Sequence, residues 1–306
     1  MAAFSPKHRG NYHLRSISLP VRSDRTTLRT EEELNKLKNW EADHCLSAEA
    51  VSAGISGMGA LYRCIQDLLN LPLTQKALTQ HQHEKWVDEV LDGSVIFLDI
   101  CSNTRDSLLL LKEDVRELQS ALRRRKGGDF SIGSNIFSTF VSSRKRMKKE
   151  TAKSLAALKQ IDSKLGASPL PDYLNAHISA VVRALRKTCL ITISVFRSLL
   201  LFLSVPVLKP KKLTKWSLVS RLVHRGVVAC DGQRMMRISE LESLDVALGN
   251  LLAQSSSKGS ESEMIQSANK RLEALEGSIE GLENALECLF KNLINTRVSF
   301  LNILSQ

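Results

Sequence analysis

The chain has 306 residues, and its 43% hydrophobic and 25% charged residues are the proportions of an ordinary soluble globular protein. This composition excludes a wholly disordered chain and a protein that crosses a membrane many times. Only 5% of the residues are aromatic, so we expect an aliphatic core. The small numbers of glycine (15) and proline (7) argue against an all-β fold with many tight turns.

The net charge of +11 is distributed unevenly along the chain. Basic residues outnumber acidic ones by six to one in residues 1–29, nine to one in residues 123–149 and seven to one in residues 205–234. Acidic residues dominate in two other stretches, by sixteen to eight in residues 30–122 and ten to five in residues 239–306. A nucleic acid, an anionic membrane surface or the chain's own acidic helices could neutralise the basic blocks, and we favour the last.

The six cysteines are scattered, with no CxxC pair and no cluster of cysteine and histidine. A disulfide framework or a structural zinc site needs closer spacing, so we expect reduced thiols in an intracellular protein, most simply a cytoplasmic one, without cofactor or metal. The basic beginning, rich in serine and arginine, also has the composition of an organellar transit peptide. Membrane-associated, nuclear and plastid locations therefore stay open.

Residues 1–29 lack hydrophobic periodicity, and we predict a disordered basic arm there. Thr30 is predicted to be the N-cap of the first helix, because the glutamates at residues 31–33 favour the positive end of a helix dipole. Helical patterns then continue, with a break at Asp92-Gly93-Ser94, as far as residues 123–126. These four basic residues precede two glycines, which is typical of a helix end.

From residue 30 to residue 306 we predict a single helical bundle domain without a β-strand of useful length. Segments rich in Gly, Ser, Pro or Lys interrupt the helices of its second half. In order, we predict a Gly/Ser-rich connection at 127–143, helices at 144–165 and 173–204, a Lys/Pro loop at 205–215, and a helix at 238–253.

The clearest periodicity lies near the end of the chain, where apolar residues recur at alternating steps of three and four. The flanking positions carry few charges, so packing inside an antiparallel bundle of the same chain is favoured over homo-oligomerisation through a coiled coil. The overall prediction is an all-α, elongated multi-helix bundle with a long heptad-patterned C-terminal helix. The heptad positions are Ile265, Ala268, Leu272, Leu275, Ile279, Leu282, Leu286, Leu289 and Leu293.

Residues 189–208 form an apolar stretch that is about long enough to span a bilayer. Arg197 lies in its middle and hydroxyl residues dilute it, so we favour a buried core helix over contact with a membrane. In the alternative, residues 189–215 hold the protein peripherally against an anionic membrane surface. The lysines that would make this contact are Lys209, Lys211, Lys212 and Lys215.

Two short basic clusters form a candidate contact patch for a nucleic acid or for the nuclear import machinery. They lack interleaved aromatic residues for base stacking, and no helix-turn-helix or zinc-finger pattern accompanies them. We therefore disfavour nucleic-acid binding and prefer solvated helix ends. The patch consists of Arg123, Arg124, Arg125, Lys126, Arg144, Lys145, Arg146, Lys148 and Lys149.

The predicted arm contains a candidate phosphorylation site in the sequence RSISLP, residues 15–20. A basophilic kinase that reads Arg15 three residues upstream could phosphorylate Ser18. The phosphate, followed by Pro20, would then suit the arginine-lined groove of a phosphopeptide-binding adaptor of the 14-3-3 type.

No residue pattern typical of catalysis is present. His81 and His83 are two residues apart, so a helix would direct their side chains to different faces rather than towards one metal ion. The glycines within residues 54–59 do not follow a strand, and no lysine completes a phosphate-binding loop. We therefore predict a non-enzymatic protein without catalytic, cofactor-binding or metal-binding residues.

An ordered series of short motifs runs from about residue 16 to the end of the chain. It includes SISLPVRS (16–23), LYRCIQDLL (61–69), KWVDE (85–89), LDGS (91–94) and LRRRKGG (122–128). In these motifs the chain resembles the plant-specific BYPASS-related family, formerly catalogued as a plant domain of unknown function.

The resemblance implies a helical protein of unknown molecular function, without known catalytic residues, that is associated with root and shoot development. No site residues follow from it, because the family has none defined. The expectation is an interaction or regulatory protein that acts through helical surfaces on protein partners.

Overall fold

The computed structural model describes residues 25–43, 46–126, 133–167, 174–204, 239–253 and 258–306, and every regular element in these ranges is an α-helix. The prediction of an all-α fold is therefore confirmed. The described helices are α1 (Arg25–Asp43), α2 (Ala48–Leu69), α3 (Pro72–Gln80), α4 (Lys85–Lys126), α5 (Gly133–Ala167), α6 (Ala176–Leu203), α7 (Glu240–Ala253) and α8 (Lys258–Leu304).

The long helices alternate in direction and form an elongated bundle. α8 has 47 residues, which corresponds to a length of about 70 Å. α4 runs antiparallel to it: Arg297 donates to the carbonyl of Leu91 at one end, and Arg116 pairs with Glu276 nearer the other. α2, α5 and α8 run in one direction, and α4 and α6 run in the opposite one.

Two apolar clusters fill the bundle. The larger cluster takes residues from α1, α2 and α4 to α8, and contains the stacked rings of Phe97 and Phe196, whose centroids are 6.2 Å apart. The smaller cluster lies at the end covered by α3 and includes Trp86 and Phe300. Since α2, α4, α6 and α8 contribute to both clusters, the same helices join the two ends of the core.

The heptad pattern of α8 is used inside the chain, as predicted. All nine heptad side chains are at most 2% exposed and belong to the larger cluster, where α8 packs against α2, α4 and α7. This packing fills the apolar seam that a coiled coil with a second copy would otherwise use.

The predicted break at Asp92-Gly93-Ser94 is wrong, because α4 continues through these residues. The glycine lies against α5, where an added Cβ would be 3.9 Å from Ile161. The hydroxyl of Ser94 donates to the carbonyl of Leu91 at 2.6 Å, so its hydrogen bond is made within the helix. Tertiary packing thus overrides the local turn signal.

Two predicted helix starts are also corrected. α1 extends into the predicted arm, and Thr30 is a buried residue inside it, whose hydroxyl donates to the carbonyl of Thr26 at 2.9 Å. α5 begins at Gly133, so much of the predicted connection at 127–143 is helical. Phe137 and Phe140 are buried in the larger cluster, and this burial stabilises a helix that the surrounding serines disfavour.

α6 is a core helix, as predicted. It begins after Asn175, whose side chain accepts a hydrogen bond from the amide of Ile178 at 3.0 Å. Most of its side chains from residue 189 to residue 203 are buried, and Arg197 reaches the surface, where it pairs with Asp162 at 3.1 Å. None of the helices within the described ranges is long and apolar enough to cross a membrane.

A glycine allows α1 to lie close to α2. The indole of Trp40 covers Gly54 so closely that an added Cβ would be 2.6 Å from Cε2 of the ring. The indole nitrogen donates to the carbonyl of Ala50 at 2.8 Å, which fixes the ring in this position. The glycines at residues 54–59 therefore include a helix-packing site.

Candidate interaction surfaces

The solvent-exposed side of α5 carries a row of lysines. Lys145, Lys148, Lys149 and Lys159 are all exposed. They lie within an arc of about 100° when the helix is viewed along its axis. None of the four forms an ion pair with another residue in the described ranges. We call these four residues the lysine face.

The acidic residues of α5 that border the lysine face are already paired with other cations. Glu150 accepts a hydrogen bond from Lys153 at 3.0 Å, and Asp162 accepts one from Arg197 at 3.1 Å. The positive charge of the lysine face therefore has no acidic partner on its own helix. The other residues from 145 to 163 within the same arc are small, namely Ala152, Ala156 and Ser163.

Sequence reasoning found only part of this surface. Lys145, Lys148 and Lys149 belong to the predicted basic patch, whereas Lys159 was missed because it lies ten residues beyond the basic run. Its signal in the sequence is helical spacing: fourteen residues from Lys145 make almost four turns, so both side chains project from the same face.

The other described residues of the predicted patch that are exposed lie on α4 or beside the groove between α4 and α5. Arg123 and Arg124 are exposed near the C-terminus of α4, which ends at Lys126 as predicted. The side chains of Arg125 and Lys126 lie outside the described residues. Arg146 lines a groove between α4 and α5, together with Asp106 and Glu150. Because this groove, of about 170 Å³, carries charges of both signs, it has no clear preference for an anion.

The structure corrects the prediction for Arg144, which is buried and cannot belong to an exposed patch. Its side chain is 0% exposed, because the helical phase of α5 turns it towards α6 and α7. Nη1 donates to the carbonyl of Leu203, in the last turn of α6, at 3.1 Å. Nη2 lies 3.7 Å from Oδ2 of Asp245 on α7. Arg144 therefore joins three helices instead of contacting a ligand.

Burial shifts the pKa values of Arg144 and of the carboxyl groups near it. Desolvation raises the pKa of Asp245 to about 6, against the opposing effect of the Arg144 guanidinium. Desolvation also raises the pKa of Asp114, on α4, although a hydrogen bond from Ser143 and the charge of Arg146 oppose this shift. The pKa of Arg144 itself is lowered by the same loss of solvent.

The remaining predicted contact residues lie outside the described residues and stay predictions. These are the candidate phosphorylation site, Ser18 with Arg15 and Pro20, and the candidate membrane lysines Lys209, Lys211, Lys212 and Lys215.

A cavity of about 40 Å³ lies in the core between α2, α4, α6 and α8. It has room for one or two water molecules and is too small for a substrate. Among its lining residues, Tyr62 is hydrogen-bonded through its hydroxyl to that of Thr192 at 3.0 Å, and burial raises the pKa of Tyr62. Burial also raises the pKa of the Cys189 thiol to about 12, so at neutral pH this thiol is not a nucleophilic thiolate.

Histidine, cysteine, aspartate and glutamate side chains form no group of three or more suited to a metal ion in the part of the chain that the structure describes. Nδ1 of His81 lies 3.7 Å from a carboxylate oxygen of Glu84. This contact is a local pair within the turn that connects α3 to α4.

Comparison with known proteins identifies one family. A profile of the family described as "Protein BPS1" matches residues 54–303, which is well over half of the chain and extends from α2 almost to the end of α8. No curated protein and no solved structure shows significant similarity to the chain.

Proposed function

Because the chain belongs to the Protein BPS1 family, and is thus a protein associated with plant development, we propose that it is a non-enzymatic interaction protein that acts through exposed helix surfaces. The family match agrees with the BYPASS-related resemblance in the sequence. What the family name leaves open is the molecular means by which such a protein acts.

The observation that carries this proposal is the lysine face of α5. The packing of α5 on both α4 and α6 fixes the backbone positions from which these lysines project, and none of the four lysines is neutralised by an ion pair within the described residues. Exposed and unneutralised charge on a firmly packed helix is the property expected of a surface that recognises an oppositely charged partner.

A second candidate, peripheral attachment to a membrane through residues 189–215, has weaker support. Its apolar half, up to residue 203, is mostly enclosed by the other helices, and its lysines lie outside the described residues. Contact of this segment with a membrane stays a prediction from the sequence.

The proposal is tested by proximity labelling in plant tissue, with a C-terminal labelling enzyme that leaves the N-terminus free. One variant carries Lys145→Glu, Lys148→Glu and Lys149→Glu. The matched control carries Lys38→Glu, Lys76→Glu and Lys270→Glu, which change the same charge at exposed positions on α1, α3 and α8.

We expect the wild type and the control to label the same reproducible set of neighbours and the lysine-face variant to lose part of that set. Identical sets from all three proteins, or no reproducible set from the wild type, would contradict the proposal.

A further inference from the structure

We propose that the lysine face of α5 binds the anionic surface of a phospholipid membrane, with the helix lying flat against it. This inference rests on the proposed function, since it names the partner of the same surface. It differs from attachment through residues 189–215, because it places the contact on α5 and requires no apolar segment to enter the bilayer.

The type of charged residue favours a lipid surface over other anions. The lysine face contains no arginine and no aromatic residue. Arginine is the usual residue for bidentate binding of a phosphate or a carboxylate at a defined site, and aromatic rings stack on exposed bases. Lysine ammonium groups on flexible stems instead suit a plane of many equivalent negative charges, to which each contributes independently.

The shape of the surface also suits a plane. Lys145 and Lys159 are fourteen residues apart, so the face extends for about 21 Å along a straight helix. The residues between the lysines in the same arc are Ala152 and Ala156, which do not extend beyond the ammonium groups. A flat surface can therefore approach all four lysines at once, without displacing a bulky side chain.

The neighbouring charges do not cancel this attraction. The closest acidic residues on α5, Glu150 and Asp162, are each paired with a cation, Lys153 and Arg197 respectively. On α4, which packs against α5, Asp106 lines a groove that also contains the cation Arg146. An anionic membrane facing α5 would thus meet a net positive surface.

The inference predicts a purely electrostatic interaction that salt weakens. Purified full-length protein is floated with vesicles of phosphatidylcholine that contain about 30% phosphatidylserine, at about 0.1 M salt, and with vesicles of phosphatidylcholine alone. We expect binding to the anionic vesicles only. Each lysine near an anionic surface strengthens binding about fivefold. We therefore expect the triple variant with Lys145→Glu, Lys148→Glu and Lys149→Glu to bind the anionic vesicles at least roughly 100-fold more weakly than the wild type.

A pair of single variants separates the lysine face from general basic charge. Lys159→Glu removes a lysine of the face, whereas Lys164→Glu removes an exposed lysine of the same helix that lies outside the arc. We expect Lys159→Glu to weaken vesicle binding by about fivefold or more and Lys164→Glu to weaken it clearly less. Circular dichroism checks that every variant keeps its helix content.

Three results would overturn the inference. In the first, the triple variant binds anionic vesicles as tightly as the wild type does. In the second, Lys164→Glu weakens vesicle binding as much as Lys159→Glu does. In the third, substitution of the lysines weakens binding to duplex RNA and leaves binding to vesicles unchanged. If vesicle binding fails while proximity labelling still depends on the lysine face, the membrane is the wrong partner and the proposed function stands.

Discussion

At the scale of single residues, the most consequential finding is that one cation of a basic run is a core residue. Arg144 is followed directly by Lys145, yet the first is 1% exposed and the second is exposed. Arg144 connects α5 to the last turn of α6 and to Asp245 of α7. A buried arginine of this kind is stabilised by its partners, and removing one partner leaves the other charge without compensation.

The carboxyl group of Asp245 gives this cluster a pH dependence of defined sign. Burial raises its pKa to about 6 in the folded protein, above its ordinary value of 3.8. Between these two values the folded state binds more protons than the unfolded state, so this group's contribution to stability decreases as the pH rises. We therefore expect the free energy of unfolding of the wild type, minus that of Asp245→Asn, to fall between about pH 4 and pH 7 and to level off above.

Urea unfolding of both proteins across this pH range measures the difference. The neighbouring carboxyl groups of Asp114 and Glu242 are present in both proteins, so their effects on the difference largely cancel. A difference that grows with pH would show that the charge pair with Arg144 outweighs the burial of the carboxylate, contrary to the prediction.

At the scale of helices, close packing is set by small residues as much as by large ones. α1 lies against α2 because Gly54 leaves room for the indole of Trp40. The surface ion pairs between α4 and α8 contribute less, since exposed pairs are typically worth up to about 1 kcal/mol. Leu118, Val115 and Leu111, which lie on the buried side of α4, supply its main attachment.

We expect Gly54→Ala to destabilise the protein by about 1–3 kcal/mol, because the new methyl group would overlap the ring of Trp40. Gly277→Ala is the matched control: it lies in α8, and an added Cβ meets nothing within 4 Å. There, alanine's higher helix propensity should raise stability by about 0.5–1 kcal/mol. Chemical denaturation measures both changes, and destabilisation of similar size in the two variants would refute the packing argument.

At the scale of the whole molecule, the two apolar clusters are parts of one structure rather than separate cores. α2, α4, α6 and α8 pass through both clusters, so each of these helices is packed at both ends of the core. Trp40 packs against the larger cluster and Trp86 is buried in the smaller one, which places a fluorescent probe in each.

We expect the two clusters to unfold in one cooperative transition. In a Trp216→Phe background, Trp86→Phe leaves the fluorescence of Trp40, and Trp40→Phe leaves that of Trp86. In each variant the denaturation midpoint from fluorescence should coincide with the midpoint from far-UV circular dichroism. A fluorescence midpoint that clearly departs from the circular dichroism midpoint in either variant would mean that the clusters unfold independently.

The fold was largely accessible to sequence reasoning, because hydrophobic periodicity records which face of a helix is buried. The heptad residues from Ile265 to Leu293 are buried as predicted. Local signals failed at Asp92-Gly93-Ser94 and at residues 133–143, where long-range contacts with Ile161 and burial of Phe140 compensate for weak helix propensity. A turn signal reports only local preference, and packing partners distant in sequence contribute more free energy.

The candidate site could be predicted from the sequence only in part, because a run of charged residues does not show which side chains are exposed in the folded protein. The sequence placed Arg144 among the contact residues and left out Lys159. Successive residues of a helix project about 100° apart, so one residue of a run can be enclosed by the core while the next is exposed to water, and which one is exposed depends on where neighbouring helices pack.

The sequence by itself determined the helical class of this protein, its aliphatic core, the alternation of its basic and acidic blocks and its family. The first three properties follow from composition and period, which each segment carries regardless of its neighbours, and the family follows from the ordered series of motifs. Only the tertiary structure decided that Arg144 is enclosed, that Trp40 needs a glycine opposite it, and that the lysine face of α5 is exposed. Such properties depend on which helix lies beside which, and the interactions that fix this join residues far apart in the chain.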